Sequence, residues 1–315
     1  MTDELKKKGF RTRVSSFYRK GKNEPFKISR SKFNNFLDCK RCFYLDRVKG
    51  LKEPGMPGWA LNSAVDALLK KEFDVHRKNK TSHPIMQKYK LNFVPFQHKD
   101  IDVWRDARSG GISYLDQNAN LIIHGGVDDI WFNNDTEELV VVDYKSQSTN
   151  EPVKTESYLT NKYHQGYKIQ MDIYVHILRN MDFKVSDATY FMVCNGEKSF
   201  DKFDNKINFT TTLVPYKANS KWIPAKIKEM KEVLDQEKIP EINSDCEKCI
   251  YLNTNKYYIE WEINFTNNEK TKEFKDILKE KQKWLNWDYD KEKKEIKKES
   301  KEIKKERDDS GVKDG

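Results

Sequence analysis

An α/β fold, with a mixed central β-sheet flanked by helices, is the architecture this sequence predicts. Three observations lead there. Apolar patterning changes along the chain in the order helix, hairpin strands, helix, strand, helix. Residues 138–145 (ELVVVDYK) form an almost unbroken apolar run, as expected of a central strand covered on both faces. Segments before and after that run carry apolar residues at helical spacing.

Taken in order, the first element begins near Ser29 and Ser31, either of which can cap a helix that places Phe33, Phe36 and Leu37 on one face. A Pro/Gly stretch (EPGMPG) interrupts the chain before a second helix over 59–76. There Leu61, Val65, Leu68, Leu69 and Phe73 share a stripe. Residues 120–132 (NLIIHGGVDDIWF) and 138–145 read as two strands joined by the polar turn NNDTE. A helix follows in HQGYKIQMDIYVHILRN, then a strand at ATYFMVC and a helix over 222–234. Beyond about 266 the chain becomes a charge run (KEKKEIKKESKEIKKER), which reads as a solvated helix or disorder. The expected organisation is therefore a basic arm (1–25), a folded body (26–265) and a charged tail (266–315).

Charge is unevenly placed. The 315 residues carry +9 overall, but residues 1–23 hold eight Lys/Arg against two acids, and residues 288–315 hold ten of each sign. A basic arm can attract phosphates through a sequence-independent, salt-dependent attraction, or it can simply be soluble. No stretch approaches 18 apolar residues, which argues against a membrane span. The start, MTDELKKKGFRTRV, has no apolar core suited to a signal peptide, so the expected location is the cytoplasm. Five cysteines in such a chain point to free thiols or metal rather than disulfides. Cys194, inside an apolar run, reads as a buried strand residue.

The chemistry concentrates at Asp143-Tyr144-Lys145. Residues two apart on a strand face the same side, so Asp143 and Lys145 project together and Tyr144 points the other way. The preceding strand supplies Asp128 from Gly-Gly-Val-Asp; Asp129 is the alternative if the register differs by one. Two carboxylates suit a hard divalent cation such as Mg2+ or Mn2+. Such a metal generates hydroxide near neutral pH, and an adjacent ammonium can orient it. On the helix that follows, Gln170 and Tyr174 are four residues apart and share a face. The bland alternative is a surface salt bridge at a strand end.

Gly-x-x-Asp, then Asp-x-Lys after an apolar strand, then Gln-x-x-x-Tyr resembles the RecB-like branch of the PD-(D/E)XK nucleases. The Ser-x-Ser start with a cysteine and aromatic in SRSKFNNFLDCKRCFYL is similar to that branch's opening helix. The resemblance covers roughly residues 28–252. It implies a restriction-endonuclease-like core and hydrolysis of phosphodiester bonds in DNA, in repair, recombination or defence. It also implies metal binding by Asp128, Asp143 and the carbonyl of Tyr144, with Lys145, Gln170 and Tyr174 beside them. CRISPR-associated RecB-like iron–sulfur exonucleases are similar in the same features. One departure stands out: the family's histidine on the first core helix corresponds to Asn62, with Asp66 one turn later as a substitute ligand or a surface acid. His124 is a further candidate helper. The departure motivates the alternative of an inactive nucleic-acid-binding protein or scaffold that kept the fold.

Such nucleases often hold an iron–sulfur cluster with one N-terminal and three C-terminal cysteines. Here the pairs are Cys39-x-x-Cys42 and Cys246-x-x-Cys249, a two-plus-two arrangement. Four thiolates at this spacing suit a [4Fe–4S] cluster or a structural zinc. The spacing does not choose, and the resemblance favours iron–sulfur. Aromatics mixed with lysines and arginines in KRCFYLDRVKG, TNKYHQGYK and NSKWIPAKIKEMK could stack bases, with single-stranded or end-containing DNA favoured. No G-x4-G-K-[ST] loop occurs, so a helicase would have to be a separate partner.

Overall fold

In the computed structural model, which describes residues 8–55 and 58–256, Ser29 closes β1 (Phe26–Ser29) and caps the first helix. Its hydroxyl accepts from the Lys32 amide at 3.4 Å. That helix, α1 (Arg30–Asp38), buries Phe33 and Phe36. Cys39, in extended conformation, separates it from α2 (Lys40–Arg47). The long α3 (Ala60–Asn79) buries Leu69 and Phe73. Leu61 and Leu68, which helical spacing groups with them, lie instead on an exposed flank. Next come α4 (Pro84–Lys88), β2 (Phe93–Pro95), α5 (Ile101–Arg105) and β3 (Ile112–Asp116).

Residues 120–132, expected as one strand, form two: β4 (Leu121–Gly125) and β5 (Asp129–Asn133). The break has a steric cause. A Cβ on Gly126 would sit 2.7 Å from the backbone of Ala107, so the chain passes too close to another segment to stay in a ladder. The two halves enter different sheets. A three-stranded sheet has the order β1-β4-β3, with β1 parallel to β4 and β3 antiparallel to it.

The five-stranded sheet is β2-β5-β6-β7-β8, where β6 is Glu138–Gln147, β7 Ala188–Gly196 and β8 Phe209–Lys217. Only the central β6–β7 pair is parallel. Parallel neighbours need a crossover, supplied by α6 (Thr155–Thr160) and α7 (Gln165–Asn180). Helix α8 (Ile223–Asp235) follows β8, and the chain is helical again from residue 247. The result is the mixed α/β, restriction-endonuclease-like arrangement expected from the sequence.

Strand β6 is covered on both faces. Val140, Val142 and Tyr144 join Leu69, Phe73 and Trp131 in a core beneath α3, while Leu139 and Val141 join Met171, Ile173 and Tyr174 in the larger core beneath α7. Cys194 is buried on β7, as its apolar run suggests.

The described part of the basic arm lies against the body. Arg11 pairs with Asp46 at 2.5 Å, and the buried Tyr18 donates to Asp235 at 2.5 Å. The chain divides into two compact units, Met1–Ile250 and Tyr251–Gly315; the second is described only over 251–256, so the charged tail lies outside the described residues. No helix among the described residues is long and apolar enough to cross a membrane.

Candidate active site

The last β5–β6 pair is Asp129 opposite Val142, so β6 runs on past the end of its neighbour. Asp128 occupies the space beyond. Its carboxylate accepts the Tyr144 backbone N–H at 2.8 Å, filling the place a strand partner would take. This brings Asp128 beside Asp143, which is fully buried on the α7 face of β6. Lys145, two residues on, forms an ion pair with Asp143 Oδ2.

Helix α7 completes the cluster. Gln170 Nε2 donates to Asp143 Oδ1 at 2.6 Å and to the Tyr174 hydroxyl at 3.2 Å; that hydroxyl donates to the Gly126 carbonyl at 2.6 Å. The chain of contacts therefore ties helix, strand and the Gly-Gly-Val-Asp turn together. Gly125 is required for it, because a Cβ there would approach the Tyr174 ring to 2.7 Å. Asp128, Asp143, Lys145, Gln170 and Tyr174 converge.

Asp129 does not join them. It points to the opposite face, where it is fully buried and accepts from Arg77 (2.5 Å), Arg105 (3.0 Å), the Tyr144 hydroxyl (2.8 Å) and Trp131 Nε1 (3.2 Å). With so many donors it has no capacity left for a metal. His124 lies on β4, in the other sheet, and burial lowers its pKa. Asn62 is in the first turn of α3, at an exposed position.

The model of the PD-(D/E)XK nuclease superfamily matches residues 59–254, well over half of the chain. The chain belongs to this superfamily. It is accordingly a nuclease, a hydrolase with a nucleic-acid substrate. No curated protein matches it. Among solved structures, a protein from Eubacterium rectale provisionally described as an exonuclease is similar at 13% identity and a TM-score of 0.34. The match covers 77% of this nuclease and 94% of that chain.

The electrostatics of the nuclease's site suit a cation. Burial, and then the neighbouring charge of Asp143, push the Asp128 carboxyl up to about 7. Burial works against the charge of Lys145, yet Asp143 and Asp128 outweigh it and hold the ammonium above its usual pKa. Asp66 also belongs to this neighbourhood. Its carboxyl is raised by burial and by the Asp128 charge, and it pairs with Lys70 at 2.9 Å.

Several contributors were not evident from sequence. The ring of Tyr167 lies under the Lys145 ammonium, 4.6 Å from its centroid. Its spacing, three residues before Gln170 on one helix face, was the available signal. Arg30, at the start of α1, sits beside the Tyr174 hydroxyl. Nothing local in the sequence pointed to it.

Elsewhere in the body, the four cysteines come together. Cys39 and Cys249 sulfurs are 3.5 Å apart, Cys42 and Cys249 3.6 Å, Cys42 and Cys246 3.8 Å, and all four lie within 4.8 Å of one another. They could hold a metal ion and so join the α1–α2 junction to a segment more than 200 residues later.

Proposed function

We propose that this nuclease hydrolyses phosphodiester bonds in DNA with a divalent cation, Mg2+ or Mn2+, and that it belongs to the RecB-like branch, working in the cytoplasm in repair, recombination or defence. Asp128 and Asp143 would hold the cation, with the Tyr144 carbonyl as a third oxygen. N–H and C=O of one strand residue point to the same edge, so the Tyr144 carbonyl opens toward Asp128, past the end of β5. The donor set fits: burial, and then the charge of Asp143, raise the Asp128 carboxyl to about 7, and a cation between the two carboxylates offsets both effects. When bound, the metal polarises the phosphate and lowers the pKa of water. The protein's own residues do the rest. Lys145 keeps its proton, orients the attacking water and offsets charge developing on the phosphate. Gln170 fixes one oxygen of Asp143 so that the other is presented to the site, and Tyr174 locks Gln170 in place.

The observation that carries this reading is the convergence of Asp128, Asp143 and Lys145 at the open end of β6. Its test is cleavage of labelled single- and double-stranded DNA with Mg2+ or Mn2+ by the parent protein, Asp143→Ala and Lys145→Ala. Metal-dependent cutting should fall by at least about a hundredfold in each variant. Equal inertness of all three, with DNA binding retained, would instead favour the non-catalytic binding protein to which Asn62 points.

For the four cysteines the sulfur separations favour zinc over a cluster. A tetrahedral zinc with bonds of about 2.3 Å spaces its sulfurs by roughly 3.8 Å. Three separations of 3.5 to 3.8 Å match that. A [4Fe–4S] cluster attaches each sulfur to a different iron and so spreads them wider. Metal analysis of protein purified without air should return one zinc per chain and no visible absorbance; a brown protein containing iron would overturn the assignment.

A further inference from the structure

Half-buried Arg30 carries a charge that no carboxylate among the described residues answers. It follows the last β1–β4 pair, Ser29 opposite His124, and so stands beside Gly125, where an added Cβ would come within 3.1 Å of its own. Asp128 lies three residues beyond that glycine. The guanidinium sits beside the Tyr174 hydroxyl, which contacts Gln170, which in turn holds Asp143. Arg30 thus reaches toward the catalytic centre from α1, whereas Lys145 reaches it from β6. Its Nε is buried and has no hydrogen-bond partner. The other arginines that are buried or half-buried each have an acceptor: Arg11 and Arg47 pair with Asp46, Arg77 and Arg105 with Asp129, and Arg41 donates to the Pro240 carbonyl at 2.7 Å. An unpaired guanidinium that is partly withdrawn from water costs stability, and so calls for a reason.

We infer that Arg30 grips a backbone phosphate of the nucleic-acid substrate from the α1 side of the site. The inference rests on the nuclease reading and adds to it a second hold on the substrate. Three features select a phosphate. The first is the balance of charge. With a divalent cation bound, the two charges of Asp128 and Asp143 are met by the two of the cation, and the Lys145 charge is left over. Asp66, close by, already pairs with Lys70. Arg30 therefore adds a second uncompensated positive charge, and like charges at such a site repel unless an anion joins them. A phosphodiester carries one negative charge and gains another as hydroxide adds to its phosphorus. The second feature is shape: a guanidinium presents parallel N–H groups that match two phosphate oxygens. The third is access. Nε is enclosed, but the half-buried residue leaves its outer nitrogens open to a ligand.

The test measures binding apart from cutting. In the full-length Asp143→Ala protein, Arg30→Met and Arg30→Lys are titrated with fluorescent duplex and single-stranded DNA over about 50 to 200 mM salt. For Arg30→Met the slope of log affinity against log salt should flatten by about 0.9 on duplex or about 0.7 on single strands, the share of one phosphate contact, whatever the base sequence. Arg30→Lys keeps the charge and should keep the slope. Should the methionine variant fold poorly, Arg30→Gln, which keeps a donor beside Tyr174 and drops the charge, gives the same reading. A purely structural arginine would move the melting temperature and leave the slope alone. An unchanged slope without the charge overturns the proposal, and so does a slope lost equally with lysine, which marks disturbed packing. Cleavage with Asp143 restored separates the two readings. Cutting by the parent with a slope indifferent to Arg30 leaves the nuclease and removes the grip; a slope that depends on Arg30 without cutting by the parent does the reverse.

Discussion

Tyr167 shows how much one uncharged residue can contribute to a charged centre. The Lys145 ammonium is held between the Asp143 carboxylate and the Tyr167 ring, and a cation over a ring gains about 0.5–2 kcal/mol. Tyr167→Leu should lower kcat about three- to tenfold with little change in KM, while Tyr167→Phe, which keeps the ring, should restore it; steady-state kinetics on a short oligonucleotide would decide. Asp143 and Lys145 were legible from the sequence because strand periodicity is two and needs no knowledge of neighbours. Arg77 and Arg105 were not. Each reads as an ordinary surface cation until the fold brings it to Asp129, respectively 52 and 24 residues away.

At the scale of elements, that Asp129 network fastens α3 and α5 to β5 and, through the Tyr144 hydroxyl, to β6. Asp129→Asn would leave two buried guanidiniums short of a counter-charge, at a cost of about 3–5 kcal/mol, measurable by urea denaturation. The Gly-Gly turn is a second hinge between elements. Gly126→Ala drives a Cβ into Ala107 and shifts the carbonyl that anchors Tyr174. It should cost about 1–3 kcal/mol and lower activity more than a comparable change within β4. The element types were readable from periodicity, but the division of 120–132 was not, because its cause lies in a contact with residue 107. The mixed aromatic–basic segments divide for a related reason. Phe43 and Tyr44 of KRCFYLDRVKG are buried, whereas Tyr163 of TNKYHQGYK is open, as are Trp59, Phe200 and Phe203 outside those segments. Composition reports which side chains are apolar, and only packing decides which of them find a partner.

Across the whole molecule, burial depresses the pKa of His83, His124 and His176. Each binds its proton more weakly folded than unfolded, so each withdraws stability as pH falls below about 6.5 and stops once its folded pKa is passed, contributing nothing above about 7. Raised carboxyls such as Asp172 act in the opposite sense. The clean comparison is therefore His124→Gln or His176→Gln against the parent, whose melting temperature should fall more steeply between pH 7 and 5. Stripping any metal that the four cysteines hold should matter more. It reopens a loop of about 200 residues, an effect of up to about 5 kcal/mol on a chain-entropy argument, and calorimetry with and without a chelator would register it as a lowered melting temperature. The same clip has a mechanical meaning. Once metal is held, residues 39 to 249 form a closed ring, and an unfoldase pulling from the C-terminus meets those sulfur bonds before it reaches any strand of the sheets. Force applied from that end would stall at the metal and leave the catalytic strands intact, so the ion would act as a lock against forced extraction.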